Sequence, residues 1–142
     1  MKQDTLQLLN RLLAIVCRSF PQYLTWSRPY VPASRREVLD AIRDIVAEQD
    51  AIAERISQMI IDADSLPRTG EFPMEFTDMH DLGIDYLLSA AIDYQEQDIA
   101  AISSLVDQLR TTPAAKAIAE EALGMARGHL ETLLELRETA SE

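Results

Sequence analysis

Apolar residues recur along this chain at alternating steps of three and four, a spacing that restricts it to amphipathic helices packed side by side. From about Asp4 to Trp26 the stripe is Leu6, Leu9, Leu13, Val16, Phe20 and Tyr23. Pro21 falls inside it, so the helix is expected to kink or end near Phe20, because proline lacks a backbone donor and clashes with the preceding turn. Pro29 and Pro32 mark a loop. Ser34 and Glu37 then have the spacing of a capping box, predicting a second helix to about Asp64 with Val38, Ile42, Ile45, Ile52, Ile56 and Met59 inward. The run Pro-Arg-Thr-Gly-Glu-Phe-Pro after Leu66 breaks the pattern. Thr77 is the expected cap of a third helix reaching about Arg110, with Ile84, Leu88, Ala91, Ile99, Ile102, Val106 and Leu109 on one face. Thr112 as cap and Pro113 in the favoured first position open a fourth, with Ile118, Ala122, Met125, Leu133 and Leu136 inward.

No strand pattern competes with these segments, and neither repeats nor low-complexity stretches appear. At 142 residues the chain suits one domain spanning 1–142. Four amphipathic helices with mostly short connections predict an all-α fold, an antiparallel up-down four-helix bundle.

Charge narrows the partners. Lys and Arg total 13 against 24 Asp and Glu, a formal net charge of -11 that repels phosphate backbones, so no nucleic-acid partner is expected. No apolar run approaches the ~18 residues of a membrane span, and the stretch Leu12 to Val16 is short for a signal core, which leads to the expectation of a cytoplasmic protein. The single cysteine, Cys17, is expected to be a small core residue of the first helix.

Chemistry in a bundle is built from polar side chains on the inward stripes. Extending the stripes places Gln49 between Ile45 and Ile52, Gln95 between Ala91 and Ile99, and His129 between Met125 and Leu133. Two readings stand. The three form a hydrogen-bonded layer that fixes register, or they line a polar pocket that holds a ligand or metal through His129.

A second constellation is Asp50 and Glu54, four apart on one helical face, with Glu48 nearby. Two carboxylates at that spacing repel by a few tenths of a kcal/mol, which a divalent cation would relieve. The same face carries Ala47 and Ile61, about 100° from the core seam, where another subunit would meet it. The competing reading is a solvated acidic face partly neutralised by arginines. Asp78, His80, Asp81 and Asp85 suit an acidic helix start better than a surface ion site. Tyr86 and Tyr94 are expected to pack, and Trp26 to wedge the bundle's end.

The segment Glu48-Gln49-Asp50-Ala51-Ile52-Ala53-Glu54-Arg55 resembles the D-x-x-A-E-R signature of the DNA-protecting ferritins of starved cells, the Dps branch of the ferritin-like superfamily. Thr25-Trp26 falls roughly where that family has a His-Trp pair, and the loop with Pro67 and Thr69 is similar. The resemblance covers about half the chain. It implies a ferritin-like bundle in which Asp50 and Glu54 bind iron, or another divalent cation, at a site shared between subunits, hence a homodimer or larger homo-oligomer. The family's site histidines are replaced: Thr25 precedes Trp26, and Ser34, Arg35 and Arg36 occupy the second stretch. The DNA-binding lysine tail is absent. The general E-x-x-H pattern also fails, since Ser57 follows Glu54 at the third place and Ala126 precedes His129 at that spacing. Weak or absent ferroxidase activity is therefore expected. The alternative is a metal-free bundle that acts as a protein-interaction or assembly module.

Overall fold

The computed structural model of the chain describes residues 1–79 and 82–140. Among them are five α-helices: α1 (Gln3–Cys17), α2 (Phe20–Ser27), α3 (Arg36–Asp62), α4 (Ile84–Gln108) and α5 (Pro113–Ala140). Short 3-10 turns occupy Ala33–Arg35 and Met74–Met79, and no strand occurs among the described residues. None of the described helices is long and apolar enough to cross a membrane.

Helices α1 and α2 are the expected first helix, broken where the proline predicts. Ser19 turns extended, its Oγ accepts the Gln22 N–H at 3.5 Å, and Pro21 takes the second position of α2, where its missing donor costs nothing. At the other end Arg28 adopts a left-handed conformation (φ 52°) that lets its N–H close on the Leu24 carbonyl.

Two of the expected caps are absent for identifiable reasons. Ser34 lies exposed in the 3-10 turn and makes no cap; Glu37 instead pairs with Arg35 at 2.7 Å, and Arg35 also reaches Asp85 at 3.1 Å. Thr77 donates to the Met74 carbonyl at 2.6 Å within the second turn, so α4 begins only after Gly83. Pro113 does open α5, while the Thr112 hydroxyl pairs with that of Thr5 at 3.1 Å.

Two apolar clusters fill the interior. One joins Leu6 to Val16 of α1 with the second halves of α3 (Ile52, Ile56, Ile60) and α4 (Ile102, Leu105, Leu109) and the first half of α5 (Ala115 to Ala126). The other joins Phe20, Tyr23 and Leu24 of α2 with the first halves of α3 (Val38, Ile42, Ile45) and α4 (Ile84 to Ile92) and with Leu133 of α5. Chain direction follows from this partition. Helices α3 and α4 both start at the Phe20 cluster and end at the Leu9 cluster, whereas α1–α2 and α5 run the other way. The simple up-down order is thereby corrected, because α3 and α4 are parallel and the connection between them must return along the whole bundle.

Residues 63–83 have the reach for it: α4, at 25 residues, is about 37 Å long, and an extended chain covers that distance in roughly a dozen residues. The connection is pinned as it passes. Asn10 Oδ1 accepts the Arg68 N–H at 2.6 Å, and Arg18 donates to the Gly70 carbonyl at 2.9 Å and to Thr69 Oγ1 at 3.1 Å. Gly70 has φ 67°, a conformation that glycine reaches without a Cβ penalty. Arg18 also stacks over the Phe72 ring, and Phe76 inserts between Phe20 and Tyr94 at centroid distances of 5.0 and 4.9 Å. Tyr94 thus packs as expected. Trp26 is no buried wedge, being 69% exposed with its ring against Tyr23 and Phe72; Tyr86 is 58% exposed and does not pack inward as expected. Cys17 is half-buried beside the first cluster, and burial pushes its thiol pKa up.

Candidate functional site in the polar layer

The two apolar clusters do not merge, and the boundary between them is polar. Ser19, Gln49, Gln95 and His129 are buried, each at 5% exposure or less, and each lies where its helix passes from one cluster to the other. Sequence periodicity identified three of these, Gln49, Gln95 and His129. Ser19 was hidden because the break between α1 and α2 interrupts the stripe.

Buried polar groups need partners, since an unpaired one costs about 1–3 kcal/mol. Ser19 Oγ donates to Gln49 Oε1 at 3.0 Å, tying the break in the first helix to the middle of α3. Gln95 Nε2 donates to the Ala126 carbonyl at 2.9 Å, tying α4 to α5. His129 crosses from α5 to α3: its Nε2 lies 2.5 Å from Glu48 Oε2. With the carboxylate ionised, Nε2 carries the proton and donates it. The other ring nitrogen, Nδ1, is buried without a partner among the described residues. Glu48 spans the edge of the layer, its carboxylate side largely exposed while the histidine is buried.

Asp98 belongs to the same band and was missed. Counting Leu88, Ala91, Gln95, then 98, 102, 105 and 109 keeps the three-and-four alternation, so the aspartate occupies a seam position; choosing Ile99 for that step concealed it. Desolvation raises the Asp98 pKa to about 7, so it is a largely protonated acid below neutral pH and titrates around neutrality.

The proposed iron pair is arranged differently. Asp50 and Glu54 are both exposed on α3. Asp50 Oδ1 accepts from Gln22 Nε2 at 2.9 Å, and the neighbouring Arg55 pairs with Glu121 of α5 at 2.7 Å. Of the four sequence candidates for metal binding, the fold brings together Glu48 and His129 and leaves Asp50 and Glu54 apart from them on the outer face. Among the described residues no group of three or more His, Cys, Asp or Glu side chains is placed to hold one ion. A two-iron centre does not fit this donor set. Of the surface acidic set, Asp85 serves Arg35 and Asp78 lies exposed in the second 3-10 turn, while His80 and Asp81 lie outside the described residues.

Comparison with protein-family models, with curated proteins and with solved structures finds no match for this chain.

Proposed function

We propose that the chain is a diverged ferritin-like bundle of the Dps kind that binds a single divalent cation at Glu48 and His129, with weak or absent ferroxidase activity. The observation that carries this reading is the Glu48–His129 contact: one carboxylate oxygen and one imidazole nitrogen from two helices are hydrogen-bonded at the edge of the polar layer, and a cation would have to replace that bond and part the two donors slightly. Two antiparallel helix pairs joined by one long crossover are also the connectivity used by ferritin-like bundles, which build their metal sites in the bundle core.

The donor set suits iron, manganese or zinc in the divalent state, and a cation there would act as a Lewis acid toward bound water. A cation at Nε2 would require the other tautomer of the neutral ring, with its one proton on Nδ1. Ligating histidines ordinarily donate that second N–H to an acceptor, and Nδ1 has none among the described residues. The site is accordingly weak. Two protein donors leave the remaining positions to water.

Metal analysis after loading with Fe(II), Mn(II) and Zn(II) tests the reading. One equivalent of metal is expected, lost in Glu48→Gln/His129→Gln and kept in Asp50→Asn/Glu54→Gln. Loss only in the second variant would instead restore the subunit-shared iron site of the Dps resemblance. Negligible metal in the parent protein would overturn cation binding and favour the assembly module. The exposed face with Ala47, Asp50, Glu54 and the 49% exposed Ile61 favours a homodimer, for which sedimentation velocity at several concentrations is the check.

A further inference from the structure

A second candidate site lies away from the polar layer, where α1 begins and α4 ends. An open cleft of about 1070 Å³ is walled by α1, the last turn of α4 and the start of the crossover connection. Arg11, Arg68 and Arg110 all line it. In a chain with 13 basic residues against 24 acidic ones, three arginines at one cleft run against the overall charge.

The three also differ from the arginines that serve the fold. Arg18 is bonded to Thr69 and Gly70, Arg35 pairs with Glu37 and Asp85, and Arg55 pairs with Glu121. Arg11, Arg68 and Arg110 have no side-chain hydrogen bond or ion pair among the described residues, although Asp4 and Asp107 line the same cleft. Their placement is nonetheless constrained. The Arg68 backbone is held against α1 by Asn10, and the two residues after it are held by Arg18. Arg110 follows directly on the α4 cap at Leu109, itself fully buried. Leu8 and Ala14 add an apolar stretch of wall.

We propose that this cleft binds a small anion carrying two or more phosphate groups. Guanidinium groups present planar forks that match phosphate oxygens, and unpaired ones can engage without first breaking an internal salt bridge. The shared chemistry is the polyphosphate group, whether inorganic or on a nucleotide. The surrounding negative field slows the approach of such a ligand, so affinity rather than steering is what the cleft supplies.

Isothermal titration of the full chain with pyrophosphate and, separately, with ATP free of metal tests the assignment. Saturable binding with Kd below about 1 mM is expected for at least one of them. Equal affinity identifies the phosphate chain as sufficient, and tighter ATP binding identifies a nucleotide whose base uses Leu8 and Ala14. Arg11→Gln/Arg68→Gln/Arg110→Gln should weaken binding at least about tenfold. Arg36→Gln/Arg43→Gln/Arg127→Gln, which removes the same charge from exposed positions elsewhere, should weaken it about threefold or less. Circular dichroism establishes that both variants fold. No saturation by about 10 mM, or equal weakening in the two variants, would overturn the proposal.

Discussion

Asp98 makes the chain's stability depend on pH in a direction opposite to that of a salt-bridged carboxylate. Burial holds its folded-state pKa at about 7 against an ordinary 3.8, so between those values the folded protein keeps a proton that the unfolded chain releases. The stabilisation is complete below about pH 4 and is lost as pH rises through 7. Asp98→Asn keeps the shape and removes the titration. It should raise stability by about 1–3 kcal/mol at pH 8 and leave it nearly unchanged at pH 4, measured by urea unfolding at both values. The same layer yields a second prediction. Ser19 Oγ both donates to Gln49 and accepts from Gln22, so Ser19→Ala removes a helix cap and leaves a buried amide oxygen unpaired. A loss of about 2–3 kcal/mol is expected, and Ser19→Ala/Gln49→Leu should recover part of it because the orphaned group is then gone. Gln49, Gln95 and His129 were legible because the apolar spacing on either side fixes the face they occupy. Asp98 was not, since at that step Ile99 offers an apolar residue one position away and a stripe drawn through hydrophobic residues selects it. The Glu48–His129 contact was beyond sequence altogether, as it depends on how α3 and α5 are rotated against each other.

Among the elements, the crossover connection carries more of the fold than a loop usually does. It fixes α4 parallel to α3 by anchoring in turn at Asn10, Arg18, Phe20 and Tyr23. Phe76 is its deepest anchor, 3% exposed and in contact with the rings of Phe20, Tyr23 and Tyr94. Phe76→Ala should cost about 3–4 kcal/mol and speed proteolysis within residues 63–73, whereas Met74→Ala, at a side chain 86% exposed, should do neither; limited proteolysis with denaturant melts separates the two. Apart from the start of α4, which lies well past the expected cap at Thr77, the helices could be drawn from the sequence to within a few residues, and the kink before Pro21 with them, because periodicity and proline act locally. Direction was less legible. The break after Leu66 was recognised, but whether it turns back at once or runs the length of the bundle depends on aromatic contacts between Phe72, Phe76 and a helix some fifty residues earlier. The caps at Ser34 and Thr77 failed for a local reason: competing partners two or three residues away, Arg35 for Glu37 and the Met74 carbonyl for Thr77, take the side chains instead.

On the scale of the whole molecule the dominant electrostatic fact is a net charge of -11 on 142 residues. Like charges at that density oppose compaction, while ion pairs that favour it include the exposed Arg55 with Glu121 and Lys116 with Glu120, and the more sheltered Arg35 with Glu37 and Asp85. Exposed pairs contribute about 0–1 kcal/mol each, and salt screens them as it screens the general repulsion. The repulsion is expected to be the larger sum, because every surplus carboxylate takes part in it. Raising ionic strength from about 0.01 to 0.5 M shortens the screening length from about 30 Å to under 5 Å. The melting temperature should therefore climb by several degrees over that range in sodium chloride at pH 7.5. If added salt lowered it, specific ion pairs would outweigh the net field, and Arg35 would be the first of them to remove. A divalent cation gives a different curve from either. Mn(II) or Zn(II) acting through Glu48 and His129 would raise the melting temperature at fixed ionic strength and saturate, whereas an effect of general screening would not saturate and would persist in Glu48→Gln/His129→Gln.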